Sequence, residues 1–313
     1  MDRRAVIDVG TNSVRMLIAE LKKDDKDSGI NIIDKWVIPT RLGEGVDLKG
    51  YLSAKAIERT LDAIKSLIQI ASASSVDSIY CFATSAVRDA ANREHFIELV
   101  DRHCGIDVAV LLGDEEARAA FVGALMDMPY GYGKVLLVDI GGGSTELVQG
   151  QGNCIEYSVS LDIGAVRLTE MFPLGYPADY ESWKAMAKFI HCVLSRQWRG
   201  EVSSLPIVGV GGTITTLAAM AQGMEVYDRN RIQGYRLDIE LVDELLHKIL
   251  ACPIEERKKL AGLPPSRADI IPAGICILVE ILNFFKVKDI TVSDHDNLEG
   301  MLILSGEKII GSL

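Results

Sequence analysis

The chain reads as short apolar runs separated by glycine and polar turns, interleaved with longer stretches that carry a helical pattern of apolar positions. The short runs predict strands at Ile30–Ile38, Ser78–Ala83, Val108–Leu111, Val135–Asp139 and Ile290–Val292. The longer stretches predict helices at Ala54–Ala71, Arg93–His103, Asp114–Met126, Tyr180–Gln197, Ile239–Ala251 and Ala268–Phe285. Ser53 suits the N-cap of the first helix, and Asp114, Glu115 and Glu116 complement the dipole at the start of the third. Strand and helix patterns that alternate in this way indicate α/β architecture.

The chain also repeats itself. Val6-Ile7-Asp8-Val9-Gly10-Thr11-Asn12-Ser13-Val14-Arg15 is similar to Leu137-Val138-Asp139-Ile140-Gly141-Gly142-Gly143-Ser144-Thr145-Glu146, with Asp8 over Asp139, Gly10 over Gly141 and Ser13 over Ser144. Each copy predicts a hairpin that opens one of two related halves. A third glycine turn, Gly209-Val210-Gly211-Gly212-Thr213, follows a short apolar strand and runs into a helix start at Thr216–Ala221. Met128-Pro129-Tyr130-Gly131-Tyr132-Gly133 breaks the pattern before the second hairpin and marks the expected boundary. The expected domains are 1–128, completed by the C-terminal segment 299–313, and 129–298.

Composition bears this out and narrows the function. A length of 313 residues suits two domains of ordinary size, and 48% hydrophobic with 25% charged residues is the balance of a globular protein with a sizeable core. A formal net charge of −11 argues against a general nucleic-acid binder, whose affinity comes from basic surface. A polyanionic substrate would need a local basic channel on the acidic body, for which Arg93, Arg118 and Arg267 are second-rank candidates. The six cysteines form no CxxC pair and the five histidines no HxxxH pair, so the expected state is reduced thiols, most of them small core residues, in the cytoplasm. With a strand pattern from Ala5 no signal peptide is expected, and the apolar stretch around Ile270–Leu282 carries Pro272 and Glu280 and is too short to span a bilayer. No membrane partner is expected.

The glycine turns suggest the chemistry. A turn rich in Gly, Ser and Thr aims several backbone N–H groups in one direction and makes a concavity for anions. Two such turns facing one another across a cleft can hold two parts of one phosphorylated ligand. Asp8 and Asp139, at equivalent strand ends, can hold Mg²⁺ directly or through water, and Glu146 is a further metal candidate. Arg15 and Arg88 can grip phosphate with paired guanidinium donors. Asn12 and Ser13 can donate from the first turn.

In their order along the chain these motifs resemble the exopolyphosphatase/guanosine pentaphosphate phosphatase (Ppx/GppA) family. The resemblance rests on Ile7–Arg15, on Phe82-Ala83-Thr84-Ser85-Ala86-Val87-Arg88-Asp89-Ala90-Ala91-Asn92, on Gly113-Asp114-Glu115-Glu116-Ala117-Arg118, on Val138–Glu146 and on Val208–Thr213. It implies a two-domain actin-like ATPase (ribonuclease H-like) fold with the active site in the interdomain cleft, and Glu116 as general base. It also implies phosphate binding by Thr11, Asn12, Ser13, Arg15, Ser85, Arg88, Gly141, Gly142, Gly143, Ser144, Thr145, Gly211, Gly212 and Thr213, with Mg²⁺ held by Asp139, Glu146 and Asp8.

The expected activity is hydrolysis of the terminal phosphoanhydride of inorganic polyphosphate. A guanosine pentaphosphate-type nucleotide is the alternative substrate, since both present the same bond. A kinase of the same superfamily and a non-hydrolytic polyphosphate or alarmone sensor are the rivals, and a homodimer is the expected assembly. Two positions depart from the family's pattern: Asp296 stands where the family often has glycine, and Leu298 where it often has arginine. The chain ends at Leu313, where longer members carry further helices, and the expectation is a preference for short polyphosphate or modest processivity.

Overall fold

The computed structural model describes residues 2–21, 29–126, 133–152, 154–175, 180–200 and 205–310. They fall into two compact units, Met1–Ala119 with Leu298–Leu313 and Ala120–Asn297.

The first unit is built on strands β1 (Asp2–Val9), β2 (Ser13–Leu21), β3 (Ile30–Pro39), β4 (Ser78–Ala83) and β5 (Val108–Val110) in the order β3-β2-β1-β4-β5. β1, β2 and β3 form an antiparallel meander, and β4 and β5 run parallel to β1. Side chains alternate between the two faces of the sheet. Ala5, Ile7 and Val9 join one apolar cluster with the helices Ala54–Ala73 and Arg93–Cys104. Val6, Leu17 and Phe82 join another cluster on the opposite face, which Leu298, Met301 and Leu302 of the helix Asn297–Ile310 complete. The C-terminal segment thus belongs to the first unit because it covers a face that would otherwise be bare. Lys35 Nζ, 2.5 Å from the fully buried Glu299 Oε1, ties that helix to β3.

The second unit repeats the plan with β6 (Val135–Ile140), β7 (Thr145–Gln151), β8 (Cys154–Leu161), β9 (Ile207–Val210), β10 (Arg236–Asp238) and β11 (Asp289–Val292) in the order β10-β11-β9-β6-β7-β8. Without β10 this is the first sheet again, with β9 and β11 parallel to β6. The similarity read around Asp8 and Asp139 therefore extends to whole sheets, as in the doubled ribonuclease H-like plan of actin-like proteins. β6 is buried along its entire length, as expected of a central strand covered on both faces. The helix Ile271–Phe285 is buried on nearly all sides, packed on the helices Tyr180–Gln197 and Ile239–Leu250.

Several sequence expectations shift. The division falls between 119 and 120 and between 297 and 298, in place of 128/129 and 298/299. Phe121 packs against Gly150, and Ser293 Oγ donates to the Ala124 carbonyl, so the chain joins the second unit before it reaches 128. Of the expected boundary at 128–133, residues 128–132 lie outside the described residues. The third glycine turn enters its helix at Gly211, not Thr216, because β9 passes straight into the first helical turn. The helix expected at Ala268–Phe285 begins at Ile271; Pro272, which lacks an N–H, sits in its first turn. Only Cys81 and Cys276 are buried core residues; Cys104, Cys192 and Cys252 are half-buried and Cys154 is exposed. Among the described residues no helix is long and apolar enough to cross a membrane.

Candidate active site

In the first unit the β1–β2 turn is closed by Gly10 N–H on the Ser13 carbonyl at 3.0 Å. Its Thr11 and Asn12 carbonyls are taken by the segment after β3. Gly43 N–H donates to Thr11 O at 2.9 Å, and the Thr40 and Arg41 N–H groups donate to Asn12 O at 3.1 and 2.9 Å. Gly43 has to be glycine, because a Cβ there would collide with the Thr11 methyl. The Thr11 and Ser85 hydroxyls, both buried, are hydrogen-bonded to one another at 2.9 Å.

Beside this turn lie two carboxylate–guanidinium pairs. Asp8 faces Arg15 across the β1–β2 ladder, and Arg15 donates to Asp8 Oδ2 from Nε at 3.0 Å and Nη2 at 2.5 Å. Arg88 Nη1 donates to Glu116 Oε2 at 2.8 Å and to the Leu111 carbonyl at 3.1 Å. Both arginines expected to grip phosphate are therefore held by acids of the site.

The acid pair at the start of the helix Gly113–Ala124 divides its labour. Glu115 is exposed and accepts the Leu112 N–H at 2.9 Å, reaching back to satisfy a donor at the helix start. Glu116, one residue on, is 6% exposed. Burial raises its pKa to about 7, against the opposing pull of Arg88, with Asp8 adding a smaller push upward and Arg15 a smaller pull downward. A carboxylate poised near neutral pH, unlike an ordinary surface glutamate, has the proton affinity required of a general base.

In the second unit Asp139, Glu146 and Ser160 stand in register across β6, β7 and β8. Asp139 and Glu146 are 7% and 1% exposed, and Glu146 Oε1 accepts the Ser160 hydroxyl at 2.7 Å. Gly211, at φ +87°, approaches Asp139 so closely that a Cβ would lie 2.5 Å from Asp139 Oδ1. The third turn and the second are thereby brought together. Gly212 lies under the Arg267 guanidinium, which would clash with any side chain there.

All three carbonyls of the glycine run are occupied from behind. Ala165 N–H donates to Gly141 O at 3.0 Å, and the Val166 and Arg167 N–H groups donate to Gly142 O at 2.8 and 3.1 Å. Arg167 Nε donates to Gly143 O at 2.7 Å. Gly164 permits this approach, since a Cβ there would strike the Gly142 carbonyl. Two expected phosphate hydroxyls face inward: Thr145 Oγ1 donates to the Ile163 carbonyl at 2.6 Å, and Thr213 packs against Gly274 of the helix Ile271–Phe285.

The second-unit acids are the pair suited to Mg²⁺. Two adjacent buried carboxylates bring like charges together, and a hard cation offsets them. Among the described residues no group of three His, Cys, Asp or Glu side chains is gathered for a metal, so most ligands of an ion here would be water and phosphate oxygen. Asp8 has a different environment, since Arg15 already supplies the countercharge. Arg93 pairs at the surface with Glu94 at 3.1 Å, and Arg118 is exposed. Leu298, in place of the family's arginine, is a core residue at 2% exposure, while Asp296 is buried just before the last helix. Sequence reasoning missed the backing segments 40–43 and 164–167 and Ser160. The one available signal was the short glycine-containing stretch after each third strand.

A profile of the Ppx/GppA phosphatase family matches residues 18–308. The chain is 36% identical over 307 residues to a bifunctional 3-dehydroquinate synthase/phosphatase of Fusobacterium nucleatum, covering 96% of this chain but only 46% of that protein. It is 32% identical over 314 residues to exopolyphosphatase 2 of Mycobacterium tuberculosis, covering 97% of this chain and 98% of that one. Among solved structures, the Aquifex aeolicus Ppx/GppA family member superposes with a TM-score of 0.81 at 35% identity, covering 98% of both chains. An exopolyphosphatase from Cytophaga hutchinsonii superposes with a TM-score of 0.87 at 29% identity, covering 97% of this chain and 98% of that one. The doubled sheet, the paired acids at its strand ends and these matches along nearly the whole of this chain agree, and the chain belongs to the Ppx/GppA phosphatase family.

Proposed function

We propose that the chain is an exopolyphosphatase, hydrolysing the terminal phosphoanhydride of inorganic polyphosphate and releasing orthophosphate. The observation that carries this reading is Glu116: a buried carboxylate at the head of a helix, fixed by Arg88 at 2.8 Å, with its pKa raised to about 7. Binding alone has no use for such a group. Hydrolysis does, because the water that attacks phosphorus must give up a proton as the new P–O bond forms and the bond to the bridging oxygen breaks. In the forward step Glu116 takes that proton, and the polymer leaves one phosphate shorter. The amides of the glycine turns hold phosphate oxygens, and Mg²⁺ at Asp139 and Glu146 would offset charge on the phosphoryl group. The names borne by the Mycobacterium tuberculosis and Cytophaga hutchinsonii relatives support polyphosphate as substrate.

The test is phosphate release in Mg²⁺ from polyphosphate and from guanosine pentaphosphate, with wild type beside Glu116→Gln. Polyphosphate is expected to be the better substrate, and the substitution to cut turnover at least about a hundredfold. A strong preference for the nucleotide would replace the substrate assignment. Near-normal turnover in the variant would remove Glu116 from its role.

A further inference from the structure

We propose that Arg167 is a positioning residue for the second phosphate turn: through its hydrogen bond to the Gly143 carbonyl it sets the direction of the Ser144 amide. The proposal rests on the reading that the Gly141–Ser144 turn binds phosphate.

The argument is one of peptide geometry. In a trans peptide the carbonyl of one residue and the N–H of the next point in opposite directions from the same plane. Gly141, Gly142 and Gly143 each aim a carbonyl at the segment Gly164–Arg167. The N–H groups of Gly142, Gly143 and Ser144 are therefore turned toward the opposite side together. Three successive amides facing one way form an anion-binding nest.

Glycine is the residue least able to hold such an arrangement unaided, because its backbone has the most conformations to lose. Something outside the turn has to select the conformation. Two of the three carbonyls are fixed by backbone donors, which any residue but proline could supply at 165–167. The third is fixed by a side chain, Arg167 Nε at 2.7 Å from Gly143 O. That bond makes Arg167 the side-chain donor among these contacts, where the other two carbonyls are held by backbone N–H groups.

The first unit uses the same device without a side chain. There the Thr11 and Asn12 carbonyls are taken by N–H groups of Thr40, Arg41 and Gly43, which turns the Asn12 and Ser13 amides outward. Its turn reads Gly-Thr-Asn-Ser, with one glycine, and has less freedom to remove. The run of three glycines in the second turn goes with an added donor.

The experiment compares wild type, Arg167→Lys and Arg167→Met by three measurements: amide hydrogen exchange across 140–146 in the ligand-free protein, equilibrium binding of inorganic tripolyphosphate, and thermal melting. In Arg167→Met, exchange at the turn should quicken and tripolyphosphate binding weaken, each by at least about tenfold, the scale of one hydrogen bond. The melting midpoint should stay near that of wild type, and Arg167→Lys, which keeps a donor and the charge, should recover most of the binding. Weakened binding with unchanged ligand-free exchange would assign Arg167 to direct ligand contact and overturn the proposal. Faster exchange throughout the second unit with a lowered melting midpoint would also overturn it, since that marks a structural role only. If Arg167→Met fails to fold, Arg167→Gln is read in the same way. Should wild type neither bind tripolyphosphate nor release phosphate, the functional reading fails, and the ligand-free exchange still decides whether Arg167 orders the turn.

Discussion

Glu146 stands directly across β6–β7 from Asp139, in the place that Arg15 holds across β1–β2 from Asp8. The two halves of the repeat thus differ in sign at one position. In the first unit a guanidinium pairs with the strand-end aspartate, and in the second a carboxyl side chain takes that place. Glu146→Gln should therefore raise the Mg²⁺ concentration for half-maximal phosphate release by at least about tenfold, the effect of losing one of the two carboxylates proposed to hold the ion. Asp8→Asn should leave that concentration nearly unchanged, because Arg15 already supplies its countercharge. The readout is a Mg²⁺ titration of each variant. Equal shifts in both would refute the asymmetry.

The neighbouring acids Glu115 and Glu116 should separate cleanly on mutation. Glu115→Gln removes charge from a helix-start contact and should cost about 0.5–1 kcal/mol of stability with little loss of turnover. Glu116→Gln should do the reverse, abolishing most turnover. Chemical denaturation and phosphate release, run side by side, decide it.

The pH dependence follows from the same burial. With its pKa raised to about 7, Glu116 gains its basic form as pH climbs through neutrality, so turnover should rise across that range. The Arg88 guanidinium pulls this value down, and Arg88→Met should move the rise to higher pH. Stability runs the other way. Since the folded state binds the Glu116 proton more tightly than the unfolded chain does, its contribution is full below 4.5 and is lost as pH rises through about 7. Glu116→Gln, which never ionises, should gain on wild type between pH 5 and 8 by on the order of 3 kcal/mol. A constant difference across that range would sink the assignment of a raised pKa.

Gly211→Ala tests the junction of the second and third turns. Alanine at φ +87° is strained, and its Cβ would lie 2.5 Å from Asp139 Oδ1. A loss of about 1–3 kcal/mol is expected, together with weaker Mg²⁺ activation. Wild-type melting and an unchanged Mg²⁺ titration would be the contrary result.

Leu298→Arg restores the family's usual residue and should nonetheless harm this chain. Leu298 lies in an apolar cluster with Val6, Leu17, Phe82, Leu111 and Met301, and a guanidinium there would disrupt that packing and bury a charge. Destabilisation of about 3 kcal/mol or more is expected by denaturant unfolding.

Much of the fold was legible because the signals are local. The helix Tyr180–Gln197 and the strand Ser78–Ala83 have the bounds their patterns predict. Ser53 Oγ accepts the Ala56 N–H at 3.2 Å, the cap its position suggests. Both hairpins follow from an apolar run, an Asp and a glycine turn. What escaped was non-local or weakly patterned: the short edge strand Arg236–Asp238, the backing segments 40–43 and 164–167, and Ser160 beside Glu146. Ser160 has no neighbour in sequence to mark it. Its place is set by strand register over fourteen positions.

The amino-acid sequence by itself determined the two related α/β halves, the glycine turns and the types of residue available for phosphate chemistry. Periodicity and turn chemistry are properties of neighbouring residues, and they survive translation into one dimension. Tertiary structure alone decided which of two adjacent glutamates is buried and proton-hungry and which merely caps a helix. It also decided that Arg15 serves Asp8, that Thr145 and Thr213 turn inward, and that Arg167 reaches Gly143. Desolvation, ion pairing and the aim of a hydroxyl depend on what distant segments place around a group, and no local pattern encodes that.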